Sequence, residues 1–160
     1  MRPPMLHSVR LATAADTVRL GAALARSCPW PEGPRLLYLS GELGAGKTTL
    51  AAALLGELGV TEAVRSPSYA LIETYPLPGG AVALHLDCYR LCEPMELEQL
   101  GLRDHYRPDT LWLVEWPESG GARLPTPDLS LELLPRAQGR LAHIQSRTPA
   151  GDAWLGALLG

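Results

Sequence analysis

The sequence predicts an α/β fold of three layers, in which a mixed, mostly parallel central sheet ends in a C-terminal hairpin. Three observations carry that prediction. Short apolar runs bounded by turn residues alternate with helix-forming segments along the chain. One unit, RLLYLSGELGAGKTTLAAALL, sets a glycine-rich loop between an apolar run and a helical segment. Two pairs of neighbouring runs, 69–75 with 81–87 and 129–134 with 140–146, are separated by turns short enough for hairpins, which makes the sheet mixed. The whole chain, 1–160, reads as a single domain.

The elements follow in order. Residues 13–26, TAADTVRLGAALAR, form a helix that Thr13 or Asp16 is placed to cap, with Val18, Leu20, Ala22, Leu24 and Ala25 as its apolar surface. Three prolines and a glycine in CPWPEGP (28–34) impose a turn. RLLYLS (35–40) suits a buried strand, and KTTLAAALLGELG a helix ending near Gly59. AVRSPSYALIETY (63–75) begins as a loop and becomes a strand near Tyr69; PLPGG then turns the chain into AVALHLD (81–87). EPMELEQLGL (93–102), with Pro94 in a first-turn position, reads as a short helix. LWLVEW (111–116) is another buried strand, followed by the Gly/Pro-rich loop PESGGARLPTPD. LSLELL (129–134) and RLAHIQS (140–146) pair across PRAQG, and residues 150–159 form a terminal helix.

Bulk properties narrow the function. Apolar residues make up 46% of the chain, enough for an ordinary core and too many for a disordered segment. The net charge of −3 provides no broad basic field for holding nucleic acid unaided. The N-terminus lacks the uninterrupted apolar run of a signal peptide, and no segment approaches the roughly 20 apolar residues that cross a bilayer. Three cysteines, Cys28, Cys88 and Cys92, do not form a disulfide framework. A cytoplasmic protein without membrane association is expected. Of the 14 basic residues all but one are arginine, and the single lysine is Lys47, inside the glycine-rich loop. A tight phosphate cradle has room for a compact ammonium and not for a planar fork.

GELGAGKT, Gly41 to Thr48, fits Gly-x4-Gly-Lys-[Ser/Thr], which makes the expected architecture that of a P-loop NTPase. In the run Gly41, Glu42, Leu43, Gly44, Ala45 and Gly46 the three glycines let backbone N–H groups close on phosphate oxygens, and the following helix adds its positive end. Lys47 would reach the β- and γ-phosphates, Thr48 would ligate magnesium, and Thr49 is placed for the α-phosphate. Glu115 ends a buried strand, where an acidic residue holds magnesium directly or through water. Asp87 ends another strand; it is a second magnesium-side carboxylate, an orienter of the attacking water, or a cap on the next turn. Arg90 is as well suited to a structural salt bridge as to the site. RSPSY (65–69) is a polar loop placed to sense the γ-phosphate, with Ser68 as its hydroxyl, or a plain connection. Trp116 either stacks on a base or fills the core. His85, Cys88 and Cys92 lie close in sequence without supplying four good metal ligands, so packed thiols are expected. His7, His105 and His143 carry no motif.

GELGAGKTTL, SPSYALIETY, HLDCYRL, ELEQLGLRDHY, LVEWPE and AQGR occur in this order and spacing. Together they resemble the bacterial TsaE (YjeE) family over about Leu11 to Arg140. The resemblance implies a P-loop protein that binds ATP and magnesium, hydrolyses ATP weakly alone, and joins two partners, TsaB and TsaD. Those partners place a threonylcarbamoyl group on the adenosine beside the tRNA anticodon; the family member itself uses ATP to reset or activate them and meets tRNA only through the complex. By position, the resemblance puts the magnesium threonine on Thr48, the magnesium-side glutamate on Glu115 and the functional aspartate on Asp87. It puts a tryptophan near the nucleotide on Trp116, the arginine of the QGR motif on Arg140, and a first-helix threonine on Thr17. Lys47, Asp87 and Glu115 are the expected catalytic set. Ser68 stands where the family usually has threonine, Leu86-Asp87-Cys88 where it has Phe-Asp-Leu, and Glu42 where aspartate is common; each change keeps the functional group.

Two other classes compete. A small-molecule kinase of the P-loop class would need an arginine-rich lid over the phosphates, and no such insertion is present. A non-catalytic nucleotide-binding scaffold has no need of Asp87 and Glu115.

Overall fold

The computed structural model describes residues 3–29, 33–67 and 71–160. Its strands are β1 (Leu6–Leu11), β2 (Arg35–Gly41), β3 (Ile72–Pro76), β4 (Val82–Asp87), β5 (Thr110–Glu115), β6 (Leu129–Pro135) and β7 (Arg140–Ser146). Its helices are α1 (Ala14–Ser27), α2 (Lys47–Glu57), α3 (Glu96–Gln99) and α4 (Pro149–Leu159). The strands form one sheet in the order β1-β7-β6-β2-β5-β4-β3. The four central strands β6, β2, β5 and β4 are mutually parallel, and antiparallel pairings add β7 and β1 on one side and β3 on the other. The mixed α/β sheet expected from the two hairpins is therefore present.

Alternation along the strands sorts the core into two layers. Leu37, Leu39, Leu111, Leu113, Leu129, Leu131 and Leu133 pack with Leu24 of α1, Leu50 and Leu54 of α2 and Trp154 of α4. Leu36, Tyr38, Leu84, Leu86, Trp112 and Val114 face the other way, onto Leu97 of α3 and Leu102. The second face is covered only over part of the sheet: on its β1-β7-β6 side Leu6, Ser8, Glu132 and His143 are exposed.

Local chemistry fixes the element ends. Thr13 and Asp16 are not alternatives: the Thr13 side chain accepts from Asp16 N while Asp16 accepts from Thr13 N, a reciprocal capping box at the start of α1. At α4 the Thr148 hydroxyl accepts from Gly151 N and donates to Asp128, whose other carboxylate oxygen accepts from Leu36 N at the head of β2. Gly151 lies directly on this junction; a Cβ there would stand 2.0 Å from the Asp128 carbonyl oxygen. We expect Gly151→Ala to cost about 1–3 kcal/mol, read as a lower urea midpoint at unchanged slope; an unchanged midpoint would contradict this packing.

The structure departs from the sequence expectations in three places. β1 was not foreseen; it is an edge strand whose residues up to Arg10 are exposed or half-buried, so its apolar signal is weak. The expected helix 93–102 is reduced to the single turn of α3, because Gly101 turns left-handed (φ 69°) and the chain continues as a 3-10 turn over Leu102–His105. β5 stops at Glu115, and Trp116 is in the turn that follows.

Candidate functional site

β2, β5 and β4 run parallel, so Gly41, Glu115 and Asp87 all arrive at the same sheet edge, the carboxyl end where α/β proteins bind ligands. Asp87 and Glu115 are register partners across β4 and β5. Between this edge and the start of α2 lies a cavity of about 390 Å³. Leu43, Gly44, Ala45, Gly46, Lys47, Thr48, Thr49, Asp87, Glu115, Trp116 and Arg140 line it, with Ala14, Thr17, Ser66 and Tyr89. Gly41 and Glu42 are not lining residues and contribute through their carbonyls.

The loop needs its glycines. At Gly41 (φ 146°) a Cβ would approach the Leu133 carbonyl oxygen to 2.8 Å. Gly46 (φ 106°) is the left-handed N-cap of α2, and no side chain caps that helix. Its first-turn N–H groups are therefore left for an external acceptor.

Lys47 is 5% exposed. Its Nζ donates to Gly41 O at 2.5 Å and Glu42 O at 3.0 Å, and stands 4.4 Å from the Trp116 ring centroid. No carboxylate pairs with it among the described residues. Burial pulls its pKa below the ordinary lysine value, while the charges of Glu115, Asp87 and Glu118 act in the opposite direction. A buried cation bonded to carbonyl dipoles and a ring face, with carboxylate charges near but not paired with it, is poised for an anion.

Glu115 is not the solvated strand-end residue that its position alone would allow; it is 2% exposed. The Thr48 hydroxyl stands 3.4 Å from each of its carboxylate oxygens. On its other side His85 Nε2 lies 2.5 Å from Glu115 Oε2. His85 is fully buried and its Nδ1 has no hydrogen-bond partner. An orphaned polar atom of this kind costs about 1–3 kcal/mol. Asp87 accepts from Ser66 Oγ at 2.6 Å and from Tyr89 N at 2.9 Å, so both its oxygens are held, and the bond from Tyr89 N makes the turn-capping role real as well.

Trp116 has φ 55° and ψ 50°, unusual for a bulky residue and strained by about 1–2 kcal/mol. Its N–H donates to Leu39 O, and its ring meets Tyr89 at 4.9 Å and the Lys47 ammonium. Trp116 thus serves both places at once: it lines the cavity and packs, half-buried, against the second core layer. Arg140 donates from Nη2 to Gly44 O at 2.8 Å, and Thr17 is buried against the loop, its Cγ2 3.8 Å from where a Gly46 Cβ would stand. Arg90 is exposed and outside the cavity lining. Ser68 lies outside the described residues; in the same polar loop Ser66 is the hydroxyl seen on Asp87.

Sequence reasoning missed Ser66, Tyr89 and the pairing of His85 with Glu115. The expectation of packed thiols holds for Cys88, as it does for Cys28, where burial pushes the thiols up to about 12; it fails for Cys92, which is exposed in the turn after β4. Among the described residues no group of His, Cys, Asp or Glu is assembled as a protein-only metal cage. In the native chain at neutral pH we expect a thiol reagent to modify Cys92 quickly and the other two only after denaturation. Rapid labelling of Cys88 would contradict the packing beneath Asp87.

The family model described as "Threonylcarbamoyl adenosine biosynthesis protein TsaE" matches residues 11–142. The chain belongs to the TsaE family. Two relatives illustrate it, both named tRNA threonylcarbamoyladenosine biosynthesis protein TsaE. The one from Haemophilus influenzae is 43% identical over 98 residues, 61% of either chain. The one from Streptomyces coelicolor is 40% identical over 125 residues, 74% of this chain and 82% of that one. The match to the Haemophilus protein thus spans less than two thirds of that relative's length. The crystal structure of Bacillus subtilis YdiB superposes with a TM-score of 0.81 over 99% of this chain and 97% of that one. At 22% identity it supports the fold alone. No helix among the described residues is long and apolar enough to cross a membrane.

Proposed function

We propose that this TsaE-family protein is the ATP-binding and ATP-hydrolysing component of the machinery that makes N6-threonylcarbamoyladenosine in tRNA. It acts in the cytoplasm by resetting or activating a TsaB–TsaD transferase pair, and does not transfer the threonylcarbamoyl group itself. The observation that carries the ATP reading is the buried Lys47 ammonium, set without a carboxylate partner among the described residues in a left-handed glycine loop at an uncapped helix start. The tRNA reading rests on the family and the names of the relatives.

The residues present fit both groups. Lys47 and the amides of 43–49 would hold the phosphates, with Arg140 and Trp116 at the cavity wall. Thr48 and Glu115 offer hard oxygen donors side by side, the small protein share that magnesium takes when phosphates complete its shell. Bound there, magnesium neutralises charge on the phosphate oxygens. Lys47 and the loop amides stabilise charge that develops on the γ-phosphate. Asp87, with its oxygens fixed by Ser66 and Tyr89 N, is placed to orient the attacking water. The net charge of −3 fits a chain that meets tRNA only through its partners.

The test is the ATP hydrolysis rate of the purified chain, alone and with TsaB and TsaD. A low rate that rises several-fold with the partners supports the proposal. A rate indifferent to them, with phosphate passed to a small acceptor, would replace it with a kinase.

A further inference from the structure

We infer that His85 is a positioning residue for Glu115, holding its carboxylate in the orientation that a magnesium–nucleotide complex needs. The inference rests on the nucleotide reading above and extends it to a residue outside the cavity lining. Ala83, His85 and Asp87 alternate onto the face of β4 that looks toward α2, in line with Leu113 and Glu115 of β5. Packing alone would favour an apolar side chain at that place. The chain instead keeps an imidazole, fully buried, whose one hydrogen bond among the described residues is directed at Glu115 Oε2.

The bonding sets the tautomer. An ionised Glu115 only accepts, so Nε2 carries the hydrogen that it donates. In a neutral ring Nδ1 is then a bare lone pair, with no N–H left to bury unpaired. Thr48, Glu115 and His85 form a continuous row from the start of α2 into the core. The Thr48 hydroxyl holds the outer side of the carboxylate only loosely, at 3.4 Å, so the inner, shorter contact from His85 restricts its rotation. This is the outer-shell arrangement that orients metal ligands elsewhere, with the imidazole in the supporting role.

The test uses the full chain and a non-hydrolysable ATP analogue, with affinity measured across a magnesium titration beside kcat and KM for ATP. For His85→Phe we expect the magnesium midpoint to rise about 10–100-fold and kcat to fall by a similar factor. Analogue affinity without magnesium should not change. His85→Gln, whose amide nitrogen stands at the Nε2 position, should recover most of the loss. His85→Asn, whose nitrogen stands at the Nδ1 position, should not. An unchanged magnesium midpoint in His85→Phe, or equal midpoints for the Gln and Asn variants, would overturn the inference. The Gln and Asn pair decides the matter even if the Phe variant fails to fold. A wild-type affinity indifferent to magnesium would bring down the nucleotide reading as well, whereas a wild-type response shared by His85→Phe removes the role of His85 alone.

Discussion

Replacing Lys47 with methionine is expected to weaken ATP binding by about 10–100-fold, the worth of a hydrogen bond to a charged group. The same substitution should stabilise the nucleotide-free protein. Both effects have one cause. In the free protein the ammonium is buried, and two carbonyls, a ring face and the more distant charges of Glu115, Asp87 and Glu118 compensate it in part. Stripping an ion of water costs several kcal/mol, and dipoles return only part of it. Methionine fills the same space without a charge. A net gain near 1 kcal/mol would raise the melting temperature by roughly 2–4 °C in a chain of this size. Calorimetry of the free protein and a nucleotide titration check the two halves. Unchanged ATP affinity would sink the phosphate assignment. A lower melting temperature would mean that the carbonyl contacts outweigh the desolvation.

Glu115→Gln should separate binding from turnover. The amide keeps the side chain's shape and an oxygen near Thr48 but removes the charge. We expect kcat to fall about 10²–10³-fold, in the range seen when one electrostatic group is taken from a transition state. Affinity for ATP measured without magnesium should stay near the wild-type value. Glu115→Ala should do the same to turnover and additionally lower stability, because it leaves both nitrogens of buried His85 without partners. If Glu115→Gln kept both its rate and its response to magnesium, the strand-end carboxylate would have no part in the chemistry.

Much of this architecture is legible in the sequence because it depends on local chemistry. The glycine-rich loop lies between a strand and a helix as its spacing predicts, and Asp87 and Glu115 come to one edge because parallel strands end there. What stayed hidden depends on register and on distant partners. Nothing near His85 in sequence points to Glu115; the two meet only because β4 and β5 lie side by side. The polarity of β1 hides it, since Ser8 and Arg10 face outward on an edge strand. The collapse of the 93–102 helix was signalled by Gly101 but masked by the favourable EPMELEQL before it. Trp116 adopts a left-handed backbone that its residue type and the following proline both disfavour, so only tertiary packing produces it.

The pairing of β1 with β7 also governs when a newly made chain can finish folding. β1 leaves the ribosome before the other described strands, yet its neighbour among them is β7, the last made of the seven, with Leu6 opposite Gln145. Until then β1 has nothing to bind, and the bond from Arg140 to the carbonyl of Gly44 cannot form. One late segment therefore completes both the sheet edge and the rim of the candidate site's cavity. A nascent or truncated chain lacking β7 is left without either, so a half-made protein cannot display the finished site.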